Sequence, residues 1–179
     1  MESHSSRAHT SFRSDNDAGA SPQILAALAA CNEGNAYPYG SDEWTLRVEE
    51  ELRRIFERPV QVLLVTTGTA ANALALAAMT PPWGSVLCHR SAHVHTDECG
   101  APEFFGAGLK LALSASSGSK LDPQVLELEL QRGKADVHSV QPSGVTVTQA
   151  TEEGLAYSAA EISALGDVCR GAGVPLHMD

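Results

Sequence analysis

The sequence predicts an α/β domain on a mostly parallel sheet covered by helices on both faces, and three observations carry that reading. Short apolar runs rich in branched residues alternate with segments of helical period along most of the chain. The run QVLLVT over 61–66 is continuous in its apolar character, as a strand buried on both faces requires. At 179 residues and 43% hydrophobic composition, the chain is long enough for one globular domain with a real core.

Residues 1–11 are rich in Ser, His and Arg and read as a flexible arm, which leaves 12–179 as the folded part. From Ser21, SPQILAALAACN has a helix start, with Ser as cap, Pro at the first helical position and Ile24, Leu25 and Leu28 on one side. After the loop NEGNAYPYGSD, DEWTLRVEEELRRIFE places Trp44, Val48, Leu52, Ile55 and Phe56 at helical spacing, with a solvated acidic face. QVLLVT then runs as a strand into TGT and the small-residue helix AANALALAAM. SVLCH (85–89) predicts a second strand, followed by HVHTDECG at the start of a helix. LKLALS and VLELELQRG predict a strand and a helix around a polar break, and VTVTQ (145–149) a further strand. TEEGLAYS is a loop, SAAEISALGDVCRGAG a helix closed by glycines, and VPLHMD a final strand. In such sheets ligands gather at the carboxyl ends of strands, so the segments after Thr66, His89 and Gln149, and Asp179 itself, are expected to share one rim.

Composition narrows the function. With 22 Asp+Glu against 12 Lys+Arg the formal charge is −10, which repels phosphate backbones and anionic lipids and argues against nucleic acid and membrane surfaces as partners. No apolar run is long enough to span a bilayer, and MESHSSRAHTSF lacks the apolar core of a signal peptide. The four cysteines, Cys31, Cys88, Cys99 and Cys169, form no CxxC pair. A cytoplasmic protein with reduced thiols is the expectation.

Four stretches bear chemistry. TTGTAAN (66–72) lets a backbone approach a ligand at its glycine and offers helix N–H groups and hydroxyls to a phosphate; a plain strand-to-helix turn with Thr as cap accounts for it equally well. His93, His95 and Asp97 form H-x-H-x-D, which resembles the opening of the metallo-β-lactamase-type hydrolase motif and would suit zinc; Glu98 stands where that family has a further histidine. SGSK (117–120) has the Ser-x-x-Lys spacing of serine acylases but sits in a Gly/Ser loop, where a turn explains it better. LHMD sets Asp179 at a strand end, where a carboxylate caps a helix or holds a cationic ring nitrogen.

In this order the pieces resemble a pyridoxal-phosphate enzyme of fold type I. More narrowly, they resemble the low-specificity L-threonine aldolase and phenylserine aldolase group of the β-eliminating-lyase family. The resemblance runs through FRSDNDAGASPQIL, NAYPYGSDEWT, VTTGTAANALAL, HRSAHVHTDECGAPE, GSKL, HSVQPSGVTVTQATEEGLAYS and GVPLHMD, nearly all the chain after residue 11. It implies the large domain of that fold, incomplete in this chain, and cleavage of L-threonine or a related β-hydroxy-α-amino acid to glycine and an aldehyde.

The resemblance also implies roles. Gly68 and Thr69, with Thr67, would hold the cofactor phosphate. His93 matches the histidine that stacks on the pyridine ring near the substrate hydroxyl, where an imidazole can act as general base. Asp179 matches the aspartate that pairs with the pyridine nitrogen, whose protonation strengthens the electron sink. Ser14 and Thr151 match substrate-side positions, while Glu152 stands where many threonine aldolases have a second active-site histidine. His95, Asp97 and Glu98 are read as support for the helix and rim. The family's Schiff-base lysine lies beyond the aspartate, whereas Lys110, Lys120 and Lys134 all precede Asp179. The chain is therefore expected to be the N-terminal part of the large domain, inactive by itself. A homo-oligomer, dimer or tetramer, is implied for the complete enzyme. The alternatives are another lyase or racemase on the same scaffold, or a metal-dependent hydrolase using His93, His95 and Asp97.

Overall fold

A computed structural model describes residues 18–179, so the arm expected over 1–11 and the candidate Ser14 lie outside the described residues. The chain divides into two compact units, Met1–Leu63 and Leu64–Asp179.

In the first unit, helix α1 (Pro22–Cys31) starts as its sequence predicts, with the Ser21 hydroxyl accepting from the Ile24 N–H at 3.4 Å and Pro22 at the first position. Helix α2 (Glu43–Phe56) starts at Asp42, whose carboxylate accepts from the Thr45 N–H at 2.9 Å. Bonds to Thr45, backbone first, hold the Asp42 carboxyl below its usual pKa range. Pairs such as Glu51–Arg54 confirm a solvated acidic face. Ile24, Leu25 and Leu28 of α1 are each more than half exposed.

The second unit carries helix α3 (Gly68–Met79), strand β1 (Gly84–Cys88), the short helices α4 (His93–Thr96) and α5 (Ala101–Phe105), and strand β2 (Lys110–Leu113). Helix α6 (Pro123–Gln131), strand β3 (Gln141–Val147), helix α7 (Ala159–Ala172) and strand β4 (Leu176–Met178) follow. The sheet order is β2-β1-β3-β4 and every pairing is parallel, with Val86 beside Leu111 and Gly144, and Val145 beside Leu176. Gly84 meets a close approach: a Cβ there would fall 2.5 Å from Ser143 Oγ. Successive side chains of β1 point to opposite faces. Val86 and Cys88 join Leu76, Val94 and Leu109 in one core, while Leu87 joins Val145, Val147, Leu126, Leu165 and Cys169 in the other. Helices therefore cover both faces of a parallel sheet, as expected.

Local signals placed the ends of α7 well. Ser158 and Glu161 form a reciprocal capping box, and Gly173 closes the helix at φ 73° in the left-handed region. Two expectations are corrected. Residues 61–66 form no strand; Leu63 and Leu64 are 78% and 76% exposed, and no described strand pairs with them. An apolar run becomes a buried strand only where a neighbour supplies ladder hydrogen bonds and cover. Strand β3 begins at Gln141 rather than 145, because its first residues, QPSG, read locally as a turn yet pair with β1. Among the described residues no helix is long and apolar enough to cross a membrane.

Candidate functional site

Three strand ends meet at one rim. After β1, the His89 Nδ1 lies 2.7 Å from Ser91 Oγ in a turn that delivers Ala92 as the cap of α4, so that His93 opens that helix. The His93 N–H donates to Thr148 Oγ1 at 3.2 Å, tying α4 to the segment that leaves β3. The Asp179 N–H donates to the Val147 carbonyl and the Gln149 N–H to the Asp179 carbonyl, both at 2.9 Å, which sets the end of β4 beside the end of β3.

Glu98 sits at the centre of this arrangement, sealed from solvent. Its Oε1 accepts from Asn72 Nδ2 of α3 at 2.9 Å and lies 3.8 Å from His93 Nε2. Its Oε2 is buried without a hydrogen-bond partner. Burial pushes the Glu98 carboxyl above its ordinary pKa; Asn72, His93 and the Thr69 hydroxyl oppose that rise, and the Asp179 charge adds to it. The first turns of α3, His93 and Asp179 therefore surround one buried carboxyl. The sequence reading assigned Glu98 only to rim support and gave Asn72 no role. The signal for both was present: an amide inside the small apolar helix AANALALAAM, and a glutamate where a histidine would complete a metal motif.

His93 is 37% exposed, and its Nδ1 lies 2.9 Å from Glu152 Oε1 and 4.0 Å from Asp97 Oδ2. At the start of α3, the Thr67 hydroxyl caps the helix by accepting from the Ala70 N–H at 3.1 Å. The N–H groups of Gly68 and Thr69, in the first turn, have no acceptor within the helix. A Cβ added at Gly68 would meet nothing within 4 Å, so a ligand can approach that turn. Asp179 Oδ2 is buried without a hydrogen-bond partner, a costly state that a cationic donor would relieve. Two residues earlier on β4, His177 Nδ1 lies 2.8 Å from Thr146 Oγ1; burial lowers the His177 pKa and Asp179 opposes that shift. An anion-accepting turn and a buried acid needing a cation fit a cofactor that carries both a phosphate and a protonated ring nitrogen.

The other candidates are placed differently. The Thr151 hydroxyl accepts from the Leu155 N–H at 3.0 Å within its own turn. Lys120 Nζ bonds both Glu161 carboxylate oxygens, at 2.8 and 3.0 Å, so the amine of the Ser-x-x-Lys stretch is engaged by an acid rather than by the Ser117 hydroxyl. His138 is exposed. H-x-H-x-D does not converge on one point: among the described residues the group with side-chain atoms within 4.8 Å of one another is His93, Asp97 and Glu152, and His95 is exposed outside it.

A family model described as beta-eliminating lyase matches residues 11–179. A low-specificity L-threonine aldolase of Pseudomonas aeruginosa is 45% identical over 169 residues, covering 94% of this chain and 48% of that protein. The chain thus spans about half the length of the curated relatives it matches. A solved threonine aldolase of Leishmania major superposes with a TM-score of 0.82 at 28% identity, over 90% of this chain and 47% of that one. N-succinyldiaminopimelate aminotransferase of Mycobacterium tuberculosis superposes at 0.56 with 23% identity, over 87% and 41%, a likeness of fold alone.

Proposed function

Since this chain belongs to the beta-eliminating lyase family and has the architecture of the fold type I large domain, we propose that the whole protein is a pyridoxal-phosphate-dependent aldolase. It cleaves L-threonine or a related β-hydroxy-α-amino acid to glycine and an aldehyde. The observation that carries this reading is the buried, unpartnered Asp179 Oδ2, on the same rim as His93 and the open turn at Gly68. The names of the relatives, low-specificity L-threonine aldolases, support the choice of substrate.

On this reading the Thr67–Gly68–Thr69 turn holds the phosphate, with the helix dipole of α3 favouring the anion. Asp179 would hold the protonated ring nitrogen. When bound, the cofactor supplies the electron sink for the bond that breaks. His93 would meet the cofactor ring and take the proton of the substrate's β-hydroxyl. Ser14 and Thr151 are the substrate-side residues of this reading; the Thr151 oxygen accepts from the Leu155 N–H, which leaves its hydroxyl proton free to donate. The complete enzyme works in the cytoplasm as a homo-oligomer.

Equilibrium dialysis with pyridoxal phosphate and an assay of glycine released from L-threonine test this. The full-length protein should bind the cofactor and release glycine and an aldehyde from L-threonine. Asp179→Ala and His93→Ala should abolish binding or turnover, while His95→Ala should change little. Stoichiometric zinc lost equally in His93→Ala and His95→Ala, with no affinity for pyridoxal phosphate, would overturn the reading in favour of a metal-dependent hydrolase.

A further inference from the structure

We propose that Glu152 is a positioning residue for His93: its carboxylate accepts the Nδ1 proton and so leaves Nε2 as the nitrogen that takes up a proton. The chemistry rests on the aldolase reading above, whereas the tautomer assignment rests on geometry alone. An ionised carboxylate is an acceptor only, so the imidazole nitrogen 2.9 Å from Glu152 Oε1 carries a hydrogen. A neutral imidazole has one N–H, and Nε2 is therefore left with its lone pair. Asp97 Oδ2, 4.0 Å from the same Nδ1, adds charge of the same sign on that side.

The other edge of the ring is arranged to match. Nε2 faces Glu98 Oε1 at 3.8 Å, beyond hydrogen-bonding distance, and that oxygen is already engaged by Asn72. No bond to Glu98 therefore occupies the lone pair. The main chain of His93 is anchored by the bond to Thr148, so Glu152 acts on the ring rather than on the helix. A neutral imidazole can donate or accept, but a carboxylate dictates the direction.

In the reaction, the β-hydroxyl proton passes to Nε2, and its electron pair stays on the oxygen as the aldehyde C=O forms. The pair of the broken Cα–Cβ bond remains with the carbon that becomes glycine's Cα, which is later protonated. Net, one proton leaves oxygen and one reaches carbon. Glu152 holds the imidazolium in place between these events.

The test is the long-range proton–nitrogen correlation spectrum of the full chain labelled with 15N-histidine, recorded where the His93 ring is neutral. The wild type should show the Nδ1–H pattern at His93. Glu152→Gln, which keeps an acceptor oxygen, should retain it. Glu152→Ala should lose it, and Glu152→Lys, which presents a donor to Nδ1, should reverse it to Nε2–H. The His177 signals, set by the bond to Thr146, report whether each variant is folded. An Nε2–H pattern in the wild type, or the same pattern in all four proteins, overturns the proposal. Adding pyridoxal phosphate to the same samples separates the two readings: failure to bind sinks the cofactor assignment and leaves the tautomer result intact.

Discussion

Replacing Asn72 with alanine tests whether the centre of the rim is a buried carboxyl that ionises reluctantly. The substitution removes the 2.9 Å bond from Nδ2 to Glu98 Oε1 and leaves both oxygens of a sealed side chain without a hydrogen-bond partner. A neutral hydrogen bond contributes about 0.5–1.5 kcal/mol net, and one to a charged group about 1.5–3 kcal/mol. The cost of the substitution should therefore depend on the charge of Glu98. Burial raises the folded-state pKa of Glu98 above its unfolded value. The stability it contributes is then fully present below the unfolded value and is lost as pH rises through the folded one. Asn72 opposes the upward shift, so its removal should deepen that loss. Urea unfolding should show a deficit of about 1 kcal/mol near pH 4 and about 2 kcal/mol near pH 8, at unchanged slope. In a Glu98→Gln background the pH dependence of the deficit should vanish. An equal deficit at both pH values, or a larger one in acid, would show that Asn72 does not support an ionising buried group.

Three other outcomes follow from packing and charge. Lys120 holds Glu161 down to about 2, with the Ser158 N–H next in importance; Glu161 thus contributes stability above its unfolded value that is lost as pH falls through about 2. In Lys120→Met the Glu161 carboxyl should titrate nearer the ordinary carboxylate range, read by its NMR shift. Burial pushes the thiols of Cys88 and Cys169 up to about 12 and about 11, whereas Cys31 and Cys99 are exposed. A thiol reagent at pH 8 should therefore modify two cysteines in the folded chain and all four in urea. Leu126→Ala and Leu165→Ala, both at fully buried sites, should each cost about 2–5 kcal/mol, and Leu128→Ala, at an exposed site, no more than about 0.5.

What was legible in the sequence was what a short window contains. Ser21 with Pro22, the Ser158–Glu161 box and Gly173 each mark a helix end through contacts within a few residues, and the structure has its ends there. The parallel sheet followed from alternation of elements and was equally visible. Residues 61–66 were misread because nothing in VLLV says whether a neighbouring strand is present, and here none of the described strands pairs with it. The same blindness to distance hid half of the rim. Asn72 and Glu98 are 26 positions apart and His93 and Glu152 are 59 apart, so no spacing rule links them. The histidine announced itself, but the residues that act on its ring did not.

Those residues are acids, and burial divides their work. Glu98 is sealed and holds an unpartnered oxygen, so it favours the protonated form and resists becoming a second anion beside Asp179. Asp179 also has a buried oxygen without a partner, and a cation brought to the rim gains most by meeting it. Glu152 is 38% exposed at its side chain, open to water while accepting from His93. Were all three carboxyls equally solvated, the imidazole would have no preferred edge and an incoming cation no preferred oxygen. Unequal burial of chemically similar groups therefore gives the rim its polarity, with the ring's proton on the Glu152 side and the unmet need for positive charge at Asp179.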